Sequence, residues 1–472
     1  MSIRTLGKQS LIYGIGTILT RLVTFLLLPV YTNVFTPEQY GVVSLSYAFT
    51  GFVIVFYRYG MDTALMKFYI DAEGDEKKKY FTIIFSTQTA TSLIFSGIVF
   101  VTASFLSPIF LGGEYKTLMQ FVAIILFLDA LRELPLLVLR ANEKPRQFIF
   151  FSLINVLLLM GLNIYLVVFL KMGIEGVLVG NILASSIVLL ATMPIIFQNF
   201  KIDSVNFNAL KVVIKFGLPF LPAALFAMIM ELSDRYLLEW LADTAAVGLY
   251  SAGNNFGKFG LLIVMGFNMG WTPYFLKKGK DDDAKQTFSQ ISKYFLGISG
   301  FFIVFISLWI DSIVRFKVGG VSFFGEDYWT STQVVPILLL GYYLFGIYVL
   351  QLPGVFITNR TKWVPVFRSI GAMLAVTISI LLIPLLGIIG AATAKAIAYF
   401  GMAFAIWINN KKYYNIPQSW RGMLFPIVYI IIVAVIPLNF TLRIVLSFLY
   451  LVLWYLVVAE NTDKHKIKSL IA

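Results

Sequence analysis

The 472-residue sequence contains no cysteine and a single histidine, His465. A disulfide framework, a thiolate metal site and a thiol nucleophile are thereby excluded, together with histidine-rich metal centres and histidine-based catalysis. Charge is scarce as well: 13% of the residues are charged, against 59% that are hydrophobic. No GxxxxGK[ST] stretch occurs and no loop is large enough for a nucleotide-binding domain, so this chain does not hydrolyse ATP. The first apolar run lacks a small-residue cleavage site and continues into a polar turn, and so reads as a first transmembrane helix, not a removable leader.

What is present is hydrocarbon, in pieces of membrane-spanning length. Mean hydropathy is +0.85, and windows of roughly twenty apolar residues recur about fourteen times between 9–35 and 441–458, the last two being short. An all-α polytopic membrane protein is expected. The formal net charge of +13 would suggest nucleic acid in a soluble chain, but here its distribution decides. With the N-terminus placed in the cytoplasm, about 27 of the 37 basic residues fall at cytoplasmic span ends and about 5 at the opposite ends. Both termini are then cytoplasmic, nucleic acid is not a partner, and membrane lipids are the natural neighbours of the basic loops.

The sequence also repeats itself. TPEQYGVVS (36–44) aligns with DTAAVGLYS (243–251), superposing Gly41 on Gly248 and Ser44 on Ser251. FLGGEY (110–115) matches FFGEDY (323–328), and MGIEG (172–176) matches LGIIG (386–390), all at offsets near two hundred residues. An even number of helices per copy makes the copies parallel. The expected architecture is a six-helix bundle in 1–200 and a second in 201–412, facing a central cleft suited to alternating access. An additional helix pair and a basic tail occupy 413–472.

Charged residues inside the apolar windows are the candidate functional groups. Arg21 lies about twelve residues into the first window, about 18 Å deep at 1.5 Å per residue, too far for comfortable snorkelling. Facing lipid it would cost at least a few kcal/mol, so it needs either an acid on another helix or a wet cavity. Lys258, in YSAGNNFGKFG, is also near mid-depth, and Lys395 lies among the small residues of AATAKAIAYFG, which permit close helix approach. Each lysine can be read as buried against carbonyls or as a cavity cation. If cations of both halves meet, they form an anion site. Arg235 has Glu231 and Glu239 four residues to either side, and Arg58 has Asp62 four residues on, spacings that suit local helix pairs. Asp129, Arg132 and Glu133 can pair similarly. Of the acids, Asp62, Glu231 and Asp234 are the candidates for coupling transport to an ion. Pro29, the pair Pro219 and Pro222, and the pair Gly217 and Gly260 read as bends.

PVYTNVFTPEQYGVVSL (29–45), after a glycine-containing first helix bearing Arg21, resembles the N-terminal signature of bacterial polysaccharide-biosynthesis flippases, as does the LGIIGAATA element (386–394). These belong to the multidrug/oligosaccharidyl-lipid/polysaccharide exporter superfamily. The resemblance implies a non-enzyme of the bacterial cytoplasmic membrane that moves an undecaprenyl-pyrophosphate-linked oligosaccharide to the outer leaflet. It implies no cofactor and no metal. Arg21, Lys258 and Lys395, with Arg58 and Arg235 nearer the mouths, would be the contacts to the anionic headgroup, since guanidinium and ammonium groups bind phosphate oxygens. H+ or Na+ as coupling ion and other polysaccharide-assembly proteins are the further partners implied. A cation-coupled drug exporter of the same superfamily is the alternative, but it calls for acids at mid-depth. A membrane-embedded glycan polymerase calls for catalytic groups in a sizeable outer loop, where only Glu326 and Asp327 are found.

Overall fold

A computed structural model describes residues 19–20, 22–23, 25–201, 207–417, 419–435 and 439–460. Nearly all are helical. The elements in chain order are α1 (Leu27–Val34), α2 (Pro37–Arg58), α3 (Met61–Asp71), α4 (Asp75–Val101), α5 (Ala103–Phe110) and α6 (Lys116–Ala141). Then follow α7 (Pro145–Asn163), which ends in a π turn over Ile164–Phe169, α8 (Gly173–Asn199), α9 (Phe207–Gly217) and α10 (Leu221–Leu241). The remainder is α11 (Thr244–Lys278), α12 (Ala284–Arg315), α13 (Val335–Ile357), α14 (Trp363–Leu386), α15 (Ile388–Tyr413), α16 (Trp420–Val435) and α17 (Phe440–Val457). A two-residue hairpin, β1 (Lys317–Val318) and β2 (Val321–Ser322), and a 3-10 segment (Glu326–Val334) connect α12 to α13.

The chain is an all-α polytopic membrane protein. Among the described residues, eleven helical spans are long and apolar enough to cross a membrane. Three of the roughly fourteen expected windows are not among them, each for a visible reason. The first lies in part outside the described residues, α16 is too short, and α6 carries Asp129, Arg132 and Glu133 along its apolar length. The hydrocarbon core explains why helices are used at all. With no water to satisfy a backbone amide, the chain must bond to itself within each segment.

Two compact units divide at Ser251/Ala252. In the first, α6 is the central element, with α2, α3, α4 and α8 packed around it. Buried polar side chains tie these helices by reaching backbone carbonyls: Gln88 donates to Ala130 O at 2.9 Å and Ser96 to Ala123 O at 2.9 Å. Tyr31 of α1 donates to Asn163 of α7 at 2.9 Å. In the second unit α15 packs on α13 and α14, so close that a Cβ added at Gly341 would lie 3.3 Å from Ala396 Cα, as the small residues around Lys395 allow. The pair α16–α17 lies on α12, where Tyr450 donates to Gly297 O at 3.0 Å.

The segments aligned in sequence share local chemistry. Thr36 accepts from the Gln39 amide at 3.3 Å, and its counterpart Asp243 accepts from the Ala246 amide at 2.7 Å, so both helices start on a capping side chain. Within the first unit the two starts cross each other. A Cβ on Gly41 would meet the Thr244 carbonyl oxygen, and a Cβ on Gly248 would meet the Pro37 carbonyl oxygen. Pro37 and Thr244 each stand four residues before the glycine of their own segment, so the contact is reciprocal. Gly173 and Gly387, also aligned, both adopt positive φ, 63° and 54°, at the turns leading into α8 and α15, a conformation that costs glycine nothing.

Pro219 lies in a 3-10 turn (Leu218–Phe220) between α9 and α10. Gly260 is different: it sits inside continuous α11 and admits Tyr342, whose Cβ is 3.1 Å from the position a methyl would take. Substitution at the crossing has a definite expected result. Gly41→Ala should lower the thermal unfolding temperature of the detergent-solubilised protein by several degrees, corresponding to the ~1–3 kcal/mol that overpacking costs. Gly97→Ala, whose added Cβ meets open space, should leave it unchanged or slightly raised.

Candidate functional site

Each unit carries its own buried charges. Arg21 lies outside the described residues. In the first unit Asp234 and Arg235 are adjacent on α10, and both are buried, at 5% and 6% exposure. An ionised group so placed requires hydrogen-bonding partners, and the start of α11 supplies them. Tyr250 donates its hydroxyl to Asp234 Oδ2 at 2.5 Å, and Arg235 Nε donates to Ser251 Oγ at 3.3 Å. Helical spacing alone does not decide these partners: Glu239, four residues past Arg235, accepts instead from the Thr244 hydroxyl at 3.0 Å. Glu231, a turn before Arg235, is half-buried on the same helix.

A second group forms where α2, α6 and α8 meet. Arg58 Nη2 approaches Glu133 Oε2 at 3.8 Å, and Arg132 Nη2 approaches Asp129 Oδ1 at 3.3 Å. Ser185 donates to Asp129 Oδ1 at 2.8 Å, while Asn181 donates to the Tyr47 hydroxyl at 3.4 Å. The Nε atoms of Arg58 and Arg132 are buried and have no hydrogen-bond partner among the described residues. The four charged side chains remain 16–32% exposed, so solvent or a polar ligand can reach them. Two acids and two guanidinium groups thus balance in charge, but not in hydrogen bonds. The unfilled capacity belongs to the cations.

The expected local pairing of Arg58 with Asp62 is not what the structure shows. Tyr59 (φ 27°) and Gly60 (φ 82°) end α2 and begin α3, which removes the helical register that an i, i+4 pair needs. Asp62 instead accepts from the Thr63 amide at 2.8 Å in the first turn of α3, where the helix dipole favours an anion.

In the second unit Lys258 is half-buried on α11 and its ammonium donates to Asn255 Oδ1 at 3.3 Å. The neighbouring Asn254 is fully buried, and neither atom of its amide has a hydrogen-bond partner among the described residues. Lys395 on α15 is 4% exposed, with Nζ 5.9 Å from the centre of the Tyr342 ring. Tyr342 thus touches α11 at Gly260 and α15 at Lys395. A cation over an aromatic face keeps its charge with little water, and its ammonium hydrogens are suited to an oxyanion.

Sequence reasoning passed over Arg132, Ser185, Asn181 and Tyr250 as site groups. Arg132 was legible as an i, i+3 partner of Asp129, whereas the approach of Arg58 to Glu133 follows from the packing of α2 on α6. Ser185 and Tyr250 carry no signal in their own segments.

The fold so assembled is shared with known membrane transport proteins. It superposes on the lipid II flippase MurJ in an inward closed conformation, with TM-score 0.77, 16% identity, and coverage of 94% of this chain and 98% of that one. An inward-facing multidrug resistance MATE family transporter of the MOP superfamily matches with TM-score 0.65, 13% identity and coverage of 88% and 95%. A Vibrio cholerae MATE transporter matches with TM-score 0.56, 12% identity and coverage of 87% and 96%. Among the curated proteins none matches the chain in sequence. A family model described as polysaccharide biosynthesis protein matches residues 6–278, more than half of the chain. Its helical architecture and that match together make this chain a member of the polysaccharide biosynthesis protein family.

Proposed function

We propose that the protein is a flippase for a polyprenyl-pyrophosphate-linked oligosaccharide, moving an undecaprenyl-linked repeat unit from the cytoplasmic to the outer leaflet by alternating access. It is a transporter and not an enzyme, resident in the bacterial cytoplasmic membrane with both termini cytoplasmic, and it serves cell-surface polysaccharide assembly. The observation that carries this reading is the unfilled donor capacity of partly exposed cations on apolar helices, the buried Nε atoms of Arg58 and Arg132 above all. A pyrophosphate offers several acceptor oxygens and matches such donors bidentately. Arg235, Lys258 and Lys395 complete the proposed headgroup contacts, and Arg21 stays with them on the depth argument. The family membership and the likeness of fold to a lipid II flippase support the same substrate class.

A drug exporter of the superfamily is the second reading, and the buried carboxylate of Asp234 together with the MATE likeness favours it. In the flippase reading Asp234 is the coupling residue, with Glu231 and Asp62 as the other candidate acids. Its carboxylate, held by Tyr250, exchanges that hydrogen bond for H+ or Na+ as the driving ion binds.

Two measurements test the proposal. In proteoliposomes carrying a fluorescent undecaprenyl-pyrophosphate oligosaccharide, leaflet exchange followed by quencher accessibility should slow at least about tenfold in Arg58→Ala/Lys258→Ala, the scale of removing one charge-assisted hydrogen bond. Wild-type exchange in that double variant, or transport of cationic drugs in preference to the labelled lipid, would sink the flippase reading. Asp234→Asn, which keeps the shape and the approach of Tyr250, should make the exchange rate independent of an imposed H+ or Na+ gradient. A gradient response equal to that of the wild type removes Asp234 from the coupling role and leaves the substrate assignment standing.

A further inference from the structure

Helix α12 is 32 residues long, about 48 Å at 1.5 Å per residue, against a hydrocarbon core about 30 Å thick. Centred on that core it overhangs by about six residues at each end, which puts Ala284–Ser289 at the headgroup level and Lys293 a little below it. Along this first part of the helix runs a polar stripe. Asp283, Thr287, Gln290 and Lys293 recur at spacings of three and four, so they share one face. That face lines a cavity of about 540 Å³ whose other walls include Ser419, before α16, and Glu460, after α17.

The cavity presents both signs of charge. Lys293 is buried, with 7% of its side chain exposed, and its ammonium lies 3.5 Å from a carboxylate oxygen of Glu460, which is 70% exposed. Asp283 adds a second carboxylate, so the formal balance of the lining is one negative charge among the described residues. A purely anionic headgroup would meet net repulsion there. A zwitterion meets a complement at each end: its phosphate takes the Lys293 ammonium with the Thr287 and Ser419 hydroxyls, while its primary ammonium takes Glu460 and Asp283. The Lys293–Glu460 pair opens to admit the ligand, and the exposed Glu460 is the partner that moves.

We propose that this cavity is a binding site for the headgroup of phosphatidylethanolamine from the surrounding leaflet, holding α16–α17 against α12 through a bound lipid. The proposal is independent of the transported substrate. It requires N–H donors on the headgroup, which separates phosphatidylethanolamine from phosphatidylcholine, and a cation, which separates it from phosphatidylglycerol.

Full-length protein in nanodiscs containing equal amounts of the three lipids can be released into native mass spectrometry, and the retained lipids counted. The wild type should retain phosphatidylethanolamine over each of the other two by about tenfold, the scale of one charge-assisted hydrogen bond. Lys293→Gln and Glu460→Gln should each abolish that preference. Glu460 is largely exposed, so its variant folds even if loss of the buried lysine disturbs the helix. Retention of phosphatidylglycerol equal to that of phosphatidylethanolamine would show an anion site and overturn the proposal. An unaltered preference in Glu460→Gln would overturn it too, as would the absence of any preference in the wild type.

Discussion

An ionised side chain held among apolar helices must be given partners, because the bilayer supplies no water to do it. Much of the interior of this protein follows from that requirement. Asp234 is approached by the hydroxyl of Tyr250, Arg235 by Ser251, Asp129 by both Ser185 and Arg132, and Lys395 by the face of Tyr342. These contacts join helices that hydrophobic burial alone would orient only loosely, since lipid tails are as apolar as leucine and give no preference for one helix face over another. Polar pairing and small-residue contact therefore set the register. Apolar side chains fill what remains.

The same requirement separates structural from functional charges. A carboxylate with all its hydrogen bonds made inside the fold has little left to offer a ligand. A guanidinium that meets its acid through one nitrogen while its Nε stays unpartnered keeps part of its capacity in reserve. The group at Arg58 and Arg132 is of the second kind, and its partial exposure means that a ligand can collect what the protein has left unused.

The helical content, the approximate number of spans and the positions of the glycine-bearing turns were legible in the sequence, because each depends on local properties. Apolar length specifies a span, and glycine identity marks places where backbone approaches backbone or φ turns positive. A helix too short to span, such as α3, left no such mark. The candidate site was legible only as a set of charges. Arg58 and Asp62 had the spacing of a pair, but the break at Tyr59 and Gly60 places them on different helices, and the acid nearest to Arg58 comes from α6. Ser185 and Asp129 are 56 residues apart, a separation at which no periodicity carries information. Pairings of that kind are decided by packing, after the helices exist.

The crossing of Gly41 and Gly248 has a consequence for how such a chain tolerates change. In most packed contacts a larger side chain on one partner can be offset by a smaller one opposite. Here what stands opposite each glycine is a backbone carbonyl, and no substitution removes that oxygen. Genetic suppressors of a change at either glycine are therefore not to be found at Pro37 or Thr244. They must lie wherever the helices can be allowed to separate, so the two turns are free to differ at their caps, as Thr36 and Asp243 do, but not at their glycines.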